Sequence, residues 1–232
     1  MFSNLRLNYF ALHDAGRADG AVVVIDVLRA FTTAAYAFHR GAYQILPVGS
    51  VEEAFTLKAT LPKSLTMGED QGYQPEGFDF GNSPSEIMDS DLSGRHLIQR
   101  TSAGTQGIIR AENAGTLVAA SFVVAAATAE FLRKIKAERI SFIITGQSHG
   151  RDGDEDRACA EYIAALLQGV RPDPGPYISR VLASSVGQAF SSGNLDYLSI
   201  SDIRMSLEVN RFHFFMPATQ VSGRWVINKV EG

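Results

Sequence analysis

Four stretches of this chain carry residues able to do chemistry, and each follows a run of apolar or β-branched residues. Asp26 closes the run AVVVID and Arg29 stands three residues later; Glu69 and Asp70 follow Leu65–Met67. Arg100, Thr101, Ser102, Gly104 and Thr105 follow His96–Gln99, and His149, Arg151, Glu155 and Asp156 follow Ile140–Thr145. A buried parallel strand ends at the open edge of an α/β sheet, where such folds keep their sites. If the strands are parallel, acids and anion binders share one crevice. Taken singly, Asp26 reads equally well as a helix N-cap.

Hard oxygen donors from one or two side chains, completed by water and phosphate oxygens, are the usual way of holding Mg²⁺. Asp26, Glu69, Asp70 and Asp156 are the candidate ligands. Glu155 and Asp156 also fall in the first turn of an expected helix, where the dipole alone favours acids. The segment QRTSAGTQG places small hydroxyl residues and glycines ahead of a helix, leaving backbone amides for an anion. It lacks the lysine of a P-loop, and it reads alternatively as a plain strand-to-helix turn. Cys159 lies three residues after Asp156, on the same helical face. As a nucleophile it needs a base, for which His149 is the candidate; as a buried thiol it is inert. His13, His39, His96 and His213 have no visible partner in the sequence.

The elements that position these groups alternate. Strands are expected near Leu5–Phe10, Val22–Asp26, Gln44–Val48, Leu65–Met67, His96–Arg100, Gly115–Ala120 and Ile140–Thr145, with a C-terminal pair around Phe212–Met216 and Arg224–Ile227. Between them fall helices ending near Arg40, capped at Ser50 with Glu53 completing a capping box, and spanning Val123–Lys136, Glu155–Leu167, Tyr177–Phe190 and Ser201–Val209. Residues 68–84, GEDQGYQPEGFDFGNSP, form a long loop whose aromatics Tyr73, Phe78 and Phe80 favour order. This alternation implies one three-layer α/β/α domain over residues 1–232, around a largely parallel or mixed central sheet.

Composition sets the outer bounds. The chain has 232 residues, 45% of them hydrophobic and 20% charged, the profile of a folded globular protein. Its formal charge of −4 provides no global basic field, so no nucleic-acid partner is expected. The N-terminus lacks the pattern of a signal peptide, no stretch is apolar for long enough to cross a membrane, and the single cysteine, Cys159, fits a reducing compartment. A cytoplasmic location is expected, and a homodimer if the chain associates.

Read together, VVVIDVLRAFTT, GEDQGYQPEGFDFGNSP, QRTSAGTQG, GRDGDEDRACA and SLEVNRFHFFMPA resemble the 2-phosphosulfolactate phosphatase family, Mg²⁺-dependent acid phosphatases first associated with coenzyme M biosynthesis. The resemblance covers nearly the whole chain from Val22 onward. It implies hydrolysis of the phosphate monoester of 2-phospho-3-sulfolactate, or of a related phosphorylated small acid. Position by position, Asp26 and Arg29 match the first motif, Glu69 and Asp70 the acidic loop, and Asn82 and Ser83 the Gly-Asn-Ser-Pro turn. Thr101, Gly104 and Thr105 match the threonine and glycine turn, and Glu155, Asp156 and Cys159 the last polar motif. Ser102 and Ala103 depart from the pattern, since many members have Thr-Asn there.

The resemblance makes Asp26, Arg29, Asp156 and Cys159 the expected catalytic group. Asn82, Ser83, Arg100, Thr101, Ser102, Gly104, Thr105, His149 and Arg151 are expected around the substrate, with Arg100, Arg151 and His149 serving its carboxylate and sulfonate. Two rivals remain at this stage. One is a cysteine hydrolase of the isochorismatase kind using Cys159, and the other is a metal-dependent binder of small anions without turnover.

Overall fold

The computed structural model describes residues 5–148, 150–192 and 199–232. In its first half, strands β1 (Arg6–Ala11), β2 (Gly20–Ile25), β3 (Gln44–Val48), β4 (Ser64–Gly68) and β5 (His96–Arg100) alternate with helices α1 (Ala30–His39), α2 (Val51–Thr60), α3 (Pro84–Met88) and α4 (Gly104–Arg110). Then come β6 (Ala114–Ala120), α5 (Ala125–Lys134), β7 (Arg139–Ile144), α6 (Asp154–Leu167), α7 (Gly175–Ala183), α8 (Ser185–Ser192) and α9 (Ile200–Ser206). A C-terminal set, β8 (Phe214–Val221), β9 (Arg224–Ile227) and β10 (Val230–Glu231), ends the chain. Helices flank a mixed, mostly parallel sheet, as expected of a three-layer α/β/α fold. Among the described residues no helix is long and apolar enough to cross a membrane.

The sheet is mixed, within the largely parallel or mixed arrangement expected from the alternation. The sheet runs β1-β7-β2-β6-β8-β9-β3-β5-β4. Strands β1, β7, β2 and β6 are mutually parallel, as are β3, β5 and β4. The hairpin β8–β9 joins the two blocks by antiparallel contacts on both sides. Three reversals separate β6 from β3, so the blocks run in opposite senses along the ladder. Their strand ends still meet. Five ladder steps separate β2 from β5, about 24 Å in a flat sheet, yet Gln99 Nε2 of β5 donates to the Ala30 carbonyl of α1 at 3.0 Å. Only a strongly twisted and curled sheet brings them together.

Helix α4 packs between the blocks, against β2 on one side and β3 on the other. Gly107 makes this fit possible, because a Cβ there would stand 2.5 Å from Val24 Cγ1. The strand Val22–Ile25 is fully buried, which is why it reads as an unbroken β-branched run rather than an alternating one. One hydrophobic core extends from it through α1, α5 and α6 to Ile45, Met67 and Leu97 of the second block.

Local signals set most element ends. Ser50 Oγ accepts from the Glu53 amide at 3.1 Å, while Glu53 Oε2 accepts from Gly49 N at 2.9 Å, so the expected capping box closes one residue early. The 68–84 loop is pinned by Asp79, whose Oδ2 accepts from Lys58 Nζ at 2.5 Å and from the Thr66 amide at 2.7 Å. Phe78 is buried edge-on against Phe55. The expected helix Tyr177–Phe190 is two helices, broken where Ser184 adopts an extended ψ of 158°. The last helix stops at Ser206, short of Val209, and β8 runs on to Val221 as a projecting hairpin arm.

Candidate active site

Strand β2 delivers Asp26 to the sheet edge, and the two readings of that residue prove compatible. Its Oδ1 accepts from the Ala30 amide at 2.8 Å at the start of α1, while Oδ2 receives the Thr145 hydroxyl at 3.2 Å from the end of β7. Asp156 reaches the same hydroxyl at 3.1 Å from the first turn of α6. Its other contacts are backbone amides, Val27 N at 2.8 Å and Gly146 N at 2.7 Å. The turn into α6 rests on Gly153, at φ 67°, where a Cβ would lie 2.4 Å from Gln147 N.

Thr145 has one hydroxyl proton and three acceptors within reach, counting the Ile25 carbonyl at 2.9 Å. It cannot satisfy both carboxylates at once. Burial pushes the Asp26 carboxyl up to about 6, against bonds from Ala30 and Thr145, and the charges of Glu69 and Glu155 add to the rise. Asp156 is raised well above the usual carboxylate range, first by burial and then by Glu155 and Asp26. Glu155 is raised by burial as well, and its Oε2 is buried without a partner among the described residues. Three acids therefore crowd one small volume with too few donors. Gly146 makes room for two of them, since a Cβ there would stand 2.2 Å from Glu155 Oε1 and 3.2 Å from Asp156 Oδ2.

The turn after β5 closes this volume from the other block. Gly104 lies so near Asp26 that an added Cβ would meet Asp26 Oδ2 at 2.7 Å and Ala30 Cβ at 2.6 Å. Thr101 and Thr105 bind each other: the Thr105 amide donates to Thr101 Oγ1 at 3.0 Å, and the Thr101 amide to Thr105 Oγ1 at 2.9 Å. The amides of Ala103 and Gly104 have no acceptor among the described residues. Glu69 holds the turn from outside, taking the Ser102 amide at 2.5 Å, the Ser102 hydroxyl at 3.0 Å and the Gly72 amide at 2.6 Å.

On the α1 side, Arg29 is buried, and its Nη1 donates to Asp202 Oδ2 of α9 at 2.7 Å. The Phe190 ring lies 5.2 Å from the guanidinium carbon. The Leu28–Arg29 peptide is cis. Asn82, in the turn before α3, is buried with its Oδ1 unpartnered among the described residues.

A family model described as 2-phosphosulpholactate phosphatase matches residues 9–199. The chain belongs to that family. A relative from Bacillus subtilis, named a probable 2-phosphosulfolactate phosphatase, is 40% identical over 72% of this chain and 73% of its own. One from Carboxydothermus hydrogenoformans, named likewise, is 39% identical over 72% and 70%, and one from Deinococcus radiodurans 37% identical over 70% and 68%.

Set against the residues expected from the 2-phosphosulfolactate phosphatase motifs, the structure brings together Asp26, Asp156, Glu155 and Gly104, places Arg29 on Asp202 and Phe190, and sets several others apart. Asp70 is 48% exposed at its side chain and pairs with Arg100 at 2.8 Å, apart from the acidic cluster. Glu69 is a clamp on the turn, its carboxylate already holding three donors. Among the described residues no three acidic, histidine or cysteine side chains can share one ion, so the four expected ligands do not form a single set. Asp26 and Asp156 nonetheless fit Mg²⁺ with phosphate and water completing its shell: both are hard oxygen donors sharing one Thr145 hydroxyl beside the orphaned Glu155 Oε2, and Asp26, with a single amide besides, is the under-supplied one.

The hydroxyls of Thr101 and Thr105 shape the turn, both side chains being buried, so the amides are left to meet an anion. Arg100 Nη1 is spent on the Glu69 carbonyl, Asp70 and Ser102, and Ser102 itself is engaged by Glu69 and Gln71. Arg151 is exposed and bonds Ser148, and His149 lies outside the described residues. Cys159 is 0% exposed in the core, and burial beside Asp156 drives its thiol well above the ordinary range. A protonated thiol packed among apolar groups is a poor nucleophile, so the structure lends no support to the cysteine-hydrolase reading.

Sequence reasoning missed Thr145, Asp202 and Phe190. Thr145 closes a strand as Asp26 does, and the same rule applied to hydroxyl residues finds it. Asp202 and Phe190 sit in short helices of mixed composition, and no local pattern marks them.

Proposed function

We propose that this protein is a phosphoric monoester hydrolase that releases phosphate from 2-phospho-3-sulfolactate, with Mg²⁺ held by Asp26 and Asp156. The observation that carries this reading is the contact between Gly104 and Asp26 Oδ2. A phosphate resting on the amides of Ala103 and Gly104 lies against that carboxylate, and Arg29 follows three residues after Asp26 in the same turn. When bound, Mg²⁺ neutralises charge on the phosphate oxygens. The protein's own groups do the rest. The Ala103 and Gly104 amides and the remaining guanidinium donors of Arg29 orient the phosphate, Asp26 accepts a proton from the attacking water as the P–O ester bond breaks, and the departing ester oxygen takes up a proton from solvent to leave as the 3-sulfolactate hydroxyl. Asn82 Oδ1, buried and unpartnered, is available to a hydroxyl of the substrate or to an ordered water.

Phosphate release from a panel of phosphorylated small acids, with and without Mg²⁺, tests the reading. Turnover confined to sulfonated or dicarboxylic phosphoesters and lost on chelation is the expected result. Saturable binding of the panel without phosphate release would leave the anion-binder reading in its place. Acid quench of a single turnover, with a search for phosphate covalently attached to the protein, separates direct attack from a phospho-enzyme route. A single cysteine, kept reduced, fits cytoplasmic residence.

A further inference from the structure

The Arg29–Asp202 pair reaches beyond the residues matched by the family model, which end at 199. Asp202 is 0% exposed, in a helix distant in sequence from Asp26, Arg29 and Asn82. Its Oδ2 receives Arg29 Nη1 at 2.7 Å, and its Oδ1 gathers Ser83 Oγ at 2.8 Å, Ser85 Oγ at 2.6 Å and the Ser85 amide at 3.0 Å. One carboxylate thus fastens together the turn after β2, the turn before α3 and the C-terminal helix α9. The Phe190 ring of α8 supports the same guanidinium from its face. These contacts use one edge of the arginine's donor fork. The other donors have no partner among the described residues, and they belong to a buried arginine three residues beyond Asp26 in the turn that follows β2. A planar fork held along one edge presents the other in a fixed direction, which suits bidentate capture of a phosphate or sulfonate.

We propose that Asp202 is a positioning residue for the phosphatase reaction: it aims Arg29 at the substrate anion and locks the Asn82–Ser83 turn to the same frame. This rests on the phosphatase reading for its kinetic readout but not for its binding readout. A purely structural ion pair does not require its arginine at the strand edge that carries Asp26, nor one acid shared with the turn bearing a buried, unpartnered Asn82 Oδ1. Misplacement of a clamping group by about 1 Å costs on the order of 100-fold in rate.

The test is a double-mutant cycle on Arg29→Ala and Asp202→Asn, each protein assayed for kcat/KM and for the rise in Tm produced by inorganic phosphate. Asp202→Asn alone is expected to lower kcat/KM roughly 30- to 100-fold and to abolish most of the phosphate-induced rise. In the Arg29→Ala background the same change is expected to alter neither readout by more than about twofold, because its target is gone. Equal losses in both backgrounds, or no loss in either, would overturn the proposal. If Asp202→Asn does not fold, Asp202→Glu keeps the charge and shifts the carboxylate by one methylene. A tenfold or greater fall in kcat/KM with intact folding is then expected, and wild-type values would overturn it. Absence of turnover in the wild-type protein would sink the phosphatase reading alone, leaving the phosphate-induced Tm rise to judge Asp202.

Discussion

Asp26 and Glu69 stand at the ends of parallel strands, one in each block, and both were candidates for the same metal. Their surroundings separate them. Glu69 collects two backbone amides and a hydroxyl, all three on residues of flanking loops, so its carboxylate is solvated by the fold and serves to tie those loops. Asp26 has one amide and a share of one hydroxyl, and it stands with Asp156 and Glu155 in a nearly buried cluster. A buried acid with enough donors is architecture. One without them is held ready for an external partner, and the deficit is what a cation or a reacting proton can relieve.

The sharpest way to break this comparison is to neutralise each acid without changing its shape. Asp26→Asn is expected to lower kcat/KM at least roughly 100-fold. The folded apo-protein should nonetheless gain stability at pH 8, since the amide still accepts from Ala30 N, can donate to Thr145 Oγ1, and no longer buries a charge. Steady-state kinetics beside thermal melts in chelator checks both halves. A parallel loss of activity and of Tm would place Asp26 with Glu69 as a structural acid.

Glu69→Gln should do the reverse. Only one of its two terminal atoms can still accept, so a loop amide or the Ser102 hydroxyl is left unpaired, costing about 1–3 kcal/mol. Activity is expected to fall by no more than about tenfold, chiefly through a higher KM as the Ser102–Gly104 turn loosens. Urea melts and a KM determination distinguish this from a ligand's behaviour, in which kcat collapses.

The same contrast predicts how pH acts on the metal-free protein. Asp26 has its carboxyl at about 6 in the folded state, against 3.8 when unperturbed. Between these values the folded state holds more protons than the unfolded one, so stability falls as pH rises from about 4 to 6 and is not regained above. A shift of that size corresponds to about 3 kcal/mol at most. Wild-type Tm in chelator should therefore decline across this window, and the decline should be shallower in Asp26→Asn. An equal slope in the variant would mean that Asp26 is not the titrating group.

Much of this arrangement was legible in the sequence, and the reasons are local. Val22–Asp26 announces a buried strand because burial on both faces demands an unbroken β-branched run, and Ser50 announces a helix start because its cap is three residues long. Gly104 announces a turn. The opposite sense of the two blocks was not legible, since it is set by a C-terminal hairpin inserted between β6 and β3. Nor was the split between Asp26 and Glu69, because donor supply comes from residues 33 positions away for Glu69 and 119 for Asp26. The motif SAGT likewise points to threonine hydroxyls, whereas the fold turns those inward and leaves amides. Hydroxyls that can cap their own turn do so.

Cys159 provides the smallest expected effect and the cleanest check on motif-based transfer of roles. It falls within the last polar motif, three residues from Asp156, yet that spacing brings it to the buried face of α6, among Ala158, Ala160 and Ile163. Burial holds its proton, and the neighbouring Asp156 makes thiolate formation harder still. Replacement by alanine removes one sulfur from a packed interior, costing about 1–2 kcal/mol of stability, and leaves the hydrogen bonds of Asp26 and Asp156 untouched. Turnover by Cys159→Ala should stay within about twofold of wild type, and iodoacetamide should leave the native protein active. A fall of tenfold or more with an unchanged melting curve would return the thiol to the chemistry and require α6 to open during turnover.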